Sequence, residues 1–226
     1  MTTSPDTQAA RARLTRDEQR EQTIAQLLQA AAEVFARKGY HAASVDDVAE
    51  AAGFTKGAVY SNFESKEALF LALYRQHIER AIEIGAQVLL EAQPEDRGAA
   101  LAAHRQEMGL WERDWHLLET EFLLYAARNE SMRELVDQQH QRTRQQVSKL
   151  VQAHLADIGR EDANPLAIAR IIIAALDGLA DAALIEGDDY GDLVGTMIDL
   201  ITRGLMASGV STDAAHEGTI DLTGSA

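Results

Sequence analysis

SVDDVAEAAGFTKGAVYSNFESKEAL, residues 44–69, holds a short helix, a glycine turn, a second short helix and the start of a third. Ser44 stands where a helix cap is needed, and Asp47 three residues later completes a capping box. Val45, Val48 and Ala49 give that helix one apolar side. Gly53 is the residue able to take positive φ and end it. Thr55 then caps a second helix expected over residues 56–63, with Val59 and Phe63 four apart and facing inward. Two small helices joined by a glycine turn form a helix-turn-helix, whose second helix enters the DNA major groove by its N-terminal end. Thr55 and Lys56 occupy that end, where backbone N–H groups favour an anion. Gly57 has no side chain and lets a backbone or base edge approach. Tyr60, Ser61 and Asn62 offer hydroxyl and amide groups on the outward side. Ser65 opens a further helix with Lys66 in its first turn, a site the helix dipole disfavours for a cation unless a phosphate lies nearby.

The segment closely resembles the DNA-binding domain of the TetR/AcrR family of transcriptional regulators. The resemblance covers roughly residues 20–75. It includes the preceding helix TIAQLLQAAAEVFARKGY, Ser44-Val45, Ala52-Gly53, Thr55 through Tyr60, Phe63 and Ser65 through Phe70. It implies an all-α, dimeric, ligand-responsive protein: an N-terminal three-helix reading domain followed by a helical bundle for ligand binding and dimerisation. It also implies that Ser44, Thr55, Lys56, Gly57, Tyr60 and Lys66 touch DNA, mostly at phosphate. Many members carry a Tyr or His pair after the tyrosine. Here Ser61 and Asn62 stand there.

The chain has 226 residues, 46% of them hydrophobic, enough for one large core or two modest ones. Three prolines and abundant Ala, Leu, Glu, Gln and Arg favour helix throughout. With no cysteine there is no disulfide, thiolate zinc site or cysteine nucleophile. The first residues lack the apolar core of a secretory signal, and no apolar run is long enough for a membrane span, so a cytoplasmic protein is expected. The net charge of −15 is unevenly placed: residues 1–80 hold ten Lys/Arg against eleven Asp/Glu, so the acidity belongs to the remainder. Arg11, Arg13, Arg16 and Arg20 are either a DNA-contacting arm or a solvated leader.

Four regions are expected. Residues 1–14 form a flexible basic arm, 15–64 the helix-turn-helix domain, 65–208 the ligand-binding and dimerisation domain, and 209–226 a disordered tail. Helices are expected over residues 15–38, 65–92, 94–114, 115–129, 131–159, 165–186 and 192–208. Gly39 ends the first, and Asn164-Pro165 caps and opens the sixth. The last two are apolar nearly all round, as in Ile168, Ile171, Ile172, Met197, Ile198 and Ile201. They are either a central core or an interface with a second copy, and the resemblance favours the interface.

The aromatic group Trp111, Trp115, Phe122 and Tyr125, with Met108, is either core filling or the wall of a ligand pocket with His104, Arg105, His116, Glu119, Glu121 and Arg128 as polar neighbours. The seven histidines show no metal-binding spacing, and no phosphate loop or nucleophile motif occurs. No catalytic residue, metal or cofactor is therefore expected. The expected partners are a near-palindromic double-stranded DNA operator, a small-molecule effector and a second copy of the chain, with no membrane. The function expected is that of a ligand-responsive regulator, a repressor released from its operator by the effector. The alternative is a small-molecule-binding helical protein or enzyme in which the helix-turn-helix is only scaffold. The exposed Thr55, Lys56, Tyr60 and Lys66 argue against that scaffold.

Overall fold

A computed structural model of the chain describes residues 15–104, 113–187 and 191–207. The expected arm over 1–14, the tail over 209–226, and Arg105, Met108 and Trp111 lie outside these residues. Among the described residues there are nine α-helices and no strand.

Helix α1 spans Arg16–Ala42. Thr15 caps it, accepting from the Glu18 amide while the Glu18 carboxylate takes the Thr15 amide at 2.7 Å. Its stripe of Leu27, Leu28, Ala31, Val34 and Phe35 is buried. Helical geometry fails at Gly39, with φ +76° and ψ 165°, and one further turn follows. That break releases the Tyr40 N–H from the helical ladder, and Glu121 Oε2 accepts it at 2.7 Å.

Helix α2, Val45–Ala52, carries the expected Ser44–Asp47 capping box and ends at Gly53 with φ +70°. Helix α3, Lys56–Tyr60, is shorter than the expected 56–63. The reason is local. Ser61 Oγ and Asn62 Nδ2 both donate to the Ala58 carbonyl, at 2.8 and 2.9 Å, and the chain turns there. Val59 and Phe63 are buried, as their spacing requires. Helix α4, Lys66–Glu91, is capped by Ser65 and spans roughly 39 Å.

The helix expected over 94–114 is not continuous. Pro94–Asp96 form a 3-10 turn, and α5 covers only Arg97–Ala103. Then come α6 (Arg113–Ala127), α7 (Glu130–Asp157), α8 (Pro165–Glu186) and α9 (Gly191–Ala207). Asn129 and Asn164 cap α7 and α8 through their side-chain oxygens.

Two apolar cores result. The larger joins α1–α4 to α6 and the first turns of α7, through Trp115, Leu118, Phe122, Met132 and Val136. The smaller holds Val151 and Leu155 of α7 against Ala163, Ile168 and Ala169. Helix α5 crosses α9 backbone to backbone. A Cβ on Gly98 would fall 2.7 Å from the Gly195 carbonyl oxygen, and one on Gly195 would fall 2.9 Å from that of Gly98. Arg97, beside the crossing, is buried and donates to the Leu89 carbonyl, His154 Nδ1 and Asp157. Helix α8 is not covered on all sides within one chain: Leu166, Ile171 and Ile185 are exposed, as are Leu193, Leu200 and Met206 of α9.

Candidate DNA-reading face and ligand cavity

The expected DNA-contacting residues lie on α2, α3, the turn between them and the start of α4. Ser44 and Thr55 spend their hydroxyls as caps, on the Asp47 and Ala58 amides. Tyr60 is 47% exposed and Gly57 is open. Ser61 and Asn62 fold back onto α3. Lys56 is exposed and its Nζ lies 2.8 Å from Asp46 Oδ2, a contact that raises the lysine's pKa. Lys38 Nζ lies 2.8 Å from Asp47 Oδ1. This contact and the Ser44 bonds hold the Asp47 carboxyl near 2.

Lys66 does something the sequence did not suggest. Its ammonium donates to the carbonyls of Tyr40 and Ala43, at 2.6 and 2.9 Å, and sits 4.4 Å from the centre of the Tyr40 ring. It therefore closes the C-terminal end of α1. Burial lowers its pKa.

Of the aromatic group named as a pocket wall, Trp115, Phe122 and Tyr125 pack toward α1 and α4. Trp115 is stacked on His77 at 3.9 Å and flanks Phe70 and Tyr74. Phe122 lies 4.2 Å from Phe70 and 5.0 Å from Tyr40, centre to centre. The Tyr125 hydroxyl donates to Glu67 Oε1 at 3.2 Å, and its ring meets Tyr40. These three side chains join α6 to the reading head, and none lines the cavity described next.

That cavity, of about 750 Å³, lies between α4, α6, α7, α8 and α9. Its wall is mostly aliphatic, with Ile78, Ile82, Leu123, Val147, Ile172 and Ile201. His140 and His154 both line it from α7, fourteen residues apart, so it follows that helix for roughly 21 Å. One end is polar. His116 Nε2 meets Asp181 Oδ1 at 2.8 Å and its Nδ1 faces Glu119 at 3.8 Å; these carboxylates, Glu119 first, raise the imidazole's pKa. The Tyr74 hydroxyl lies 3.3 Å from His140 Nε2. Asp177 is reached by solvent entering the cavity, yet burial and then Glu119 raise its carboxyl to about 6. At the other end His154 Nε2 meets the Thr202 hydroxyl at 3.1 Å. Because Arg97 donates to Nδ1, a neutral His154 carries its proton on Nε2 and donates it to Thr202.

Helix α6 serves both regions. His116, Glu119, Thr120 and Leu123 line the cavity. Glu121, Phe122 and Tyr125 hold α1 and the first turn of α4. No helix of the described residues is long and apolar enough to cross a membrane.

Residues 27–73 match the family described as bacterial regulatory proteins, tetR family, and residues 112–208 match the BetI-type transcriptional repressor C-terminal family. An uncharacterised HTH-type transcriptional regulator of Bacillus subtilis, YfiR, is 29% identical over 184 residues, 79% of this chain and 88% of that protein. The transcriptional activator FasR of Mycolicibacterium smegmatis is 41% identical over 91 residues, only 40% of this chain and 39% of FasR. Among solved structures, a Rhodococcus protein assigned to the TetR family superposes with a TM-score of 0.66 at 19% identity, covering 82% of this chain and 99% of that one. FadR of Bacillus subtilis in complex with stearoyl-CoA gives 0.61 at 18% identity, covering 82% and 98%. Two family matches in the expected order, on an all-helical fold with an N-terminal helix-turn-helix, settle the assignment: the chain belongs to the TetR family and is a DNA-binding transcriptional regulator.

Proposed function

We propose that this regulator is a repressor that binds a near-palindromic operator as a homodimer and leaves it when an effector fills the cavity. The observation that carries this reading is the double duty of α6, one face on the cavity and the other on the reading head. A ligand that changes the seat of α6 must change what Glu121 and Tyr125 hold, and α1 and α4 move with them. Such coupling amounts to about 1–3 kcal/mol, and DNA must weaken effector binding by the same factor.

The reading face is made of Ser44, Thr55, Lys56, Gly57 and Tyr60, with Ser61, Asn62 and Lys66 beside them. Lys66 acts chiefly by fixing the end of α1. The second copy covers the aliphatic faces of α8 and α9, where Ile171, Ile185 and Leu200 are otherwise exposed. The effector is an elongated, mostly apolar molecule with one polar end, because the cavity is long, aliphatic and polar at its ends. The pocket is thus assigned to this cavity and not to Trp115, Phe122 and Tyr125. FadR was crystallised with stearoyl-CoA, which makes acyl thioesters the first probes. The protein works in the cytoplasm, where its DNA is.

The test has two arms. Genomic fragments enriched on the purified dimer should yield a near-palindrome whose footprint spans two successive major grooves. An acyl thioester or another long apolar probe should then release that fragment. Ala174→Trp, which fills the cavity wall, should abolish release while leaving operator binding intact. A monomer that shifts no fragment would sink the reading. Release that Ala174→Trp leaves untouched would move the effector elsewhere.

A further inference from the structure

All three lysines of the helix-turn-helix unit are engaged by the protein itself. Lys66 closes the end of α1, and Lys38 holds Asp47, the carboxylate that caps α2. The third pair is different. Lys56, the first residue of α3, reaches back to Asp46 in the first turn of α2. Asp46 makes no other hydrogen bond or ion pair among the described residues. The two side chains are 56% and 61% exposed. A single exposed ion pair of this kind contributes little to folding.

Its position matters more than its strength. An Asp46 oxygen 2.8 Å from the Lys56 ammonium occupies the place a phosphate oxygen would take on DNA. We propose that Asp46 is an internal competitor for the phosphate that Lys56 meets, and so sets the affinity of the reading head for any duplex. The proposal rests on the reading that α2 and α3 face DNA. Binding must exchange one ion pair for another and leave Asp46 bare beside the DNA backbone. The bared carboxylate repels the phosphates and takes up a salt cation just as the duplex gives one up. Net ion release is then smaller than an unpaired lysine would give. A phosphate contact carries no sequence information, so the handicap applies equally to operator and random DNA.

The experiment uses the full chain and fluorescence anisotropy with two labelled duplexes, one enriched from genomic fragments and one of random sequence. Asp46→Asn keeps the shape and removes the charge that holds Lys56. Its affinity should rise about two- to fivefold on both duplexes, and the log–log salt slope should steepen by up to about one unit. Two controls separate the proposal from plain charge removal. Glu50→Gln removes an equal charge one helical turn further along α2, at an exposed residue with no Lys56 contact. It should give a clearly smaller gain. In a Lys56→Ala background, Asp46→Asn should lose most of its effect. Equal gains from Asp46→Asn and Glu50→Gln, or a gain that survives Lys56→Ala undiminished, overturn the proposal. If neither the wild type nor any variant binds either duplex, the DNA-facing reading itself fails, and the proposal with it.

Discussion

Leu27, Ala31, Val34, Phe35 and Val48 of the reading head, with Leu69 and Phe70 from the first turns of α4 that pack on it, are sealed completely from solvent; among the other described residues only Ala169, in the body, reaches that state. Both regions are built from α-helices. They differ in what they leave unfilled. The head packs four helices onto a ring of aromatic contacts, Phe35–Phe70 at 5.5 Å and Tyr40–Phe70 at 5.2 Å. The body spreads α4, α6, α7, α8 and α9 around about 750 Å³ of space and exposes aliphatic side chains on α8 and α9. Dense packing fixes geometry, as a constant target such as the DNA backbone requires. A hollow with few packed neighbours is cheap to reshape, as a region that answers a ligand requires.

The sharpest way to break that comparison is by truncation. Phe35→Ala should cost about 3–5 kcal/mol of unfolding free energy, because the sealed head cannot collapse onto the hole. Ile201→Ala, on the cavity wall, should cost less, about 2 kcal/mol at the low end for such truncations, because it mostly enlarges a space already present. Urea denaturation of both variants decides it, and equal costs would erase the distinction between the regions.

The junction comes next. Glu121→Ala should leave the Tyr40 N–H without its acceptor at the Gly39 break and cost about 1–3 kcal/mol. If head and body are coupled there, this variant should also bind the operator while responding less to the effector. A full response would mean that α6 signals by another contact.

Acidification of the body acts through two groups of opposite sign. Burial lowers His77 to about 4, so the fold keeps it neutral. Between that value and the unfolded pKa of about 6.5, the unfolded chain takes up a proton the fold refuses, and stability falls as pH falls. The loss is on the order of 1–2 kcal/mol after allowance for partial exposure. Asp177 acts the other way: with its carboxyl raised to about 6, the fold binds a proton first, and stability rises as pH falls from there toward the usual carboxylate range. His77→Gln should flatten the decline in melting temperature between pH 6.5 and 4, and Asp177→Asn should steepen it. Unchanged profiles would remove both groups from the account.

The smallest effect on stability should come from the reading face. Lys56→Ala and Tyr60→Phe should leave the melting temperature unchanged, since both side chains face outward. Both should weaken operator binding, and Lys56→Ala should reduce the salt slope by less than about one unit, because Asp46 already offsets part of the ion release of that contact. A loss of helicity in either would show that the face is structural.

The parts of the fold that were legible in the sequence were those written in a few adjacent residues. Ser44 with Asp47, Gly53, Thr55, Ser65 and Asn164-Pro165 each mark a helix end through a bond to a near neighbour, and each does so in the structure. What required distant partners was not legible. Lys66 looked like a phosphate contact because the carbonyls it caps lie 26 and 23 residues upstream. Trp115, Phe122 and Tyr125 announce burial but not what buries them, and the same periodicity serves a pocket wall or a head–body seam. The cavity wall is drawn from helices far apart in sequence, in aliphatic residues indistinguishable from core. The shorter α3 depends on two polar side chains choosing the Ala58 carbonyl over solvent.

The contact of α5 with α9 bears on how the hollow region can move. Helices normally mesh side-chain ridges into grooves, which selects a crossing angle. At Gly98 and Gly195 the two backbones come together directly, and the Asp199 and Ala102 side chains pack against the same place. Their separation is fixed by hard contact along the most extensive helix pairing among the described residues, so the two helices hold to each other. Helix α5 is anchored through Arg97 to α7, and α9 supplies Val194, Ile198 and Ile201 to the cavity wall. A wall seated on so close a contact moves together with α5, so a guest of different girth is accommodated by shifting that pair and not by parting it.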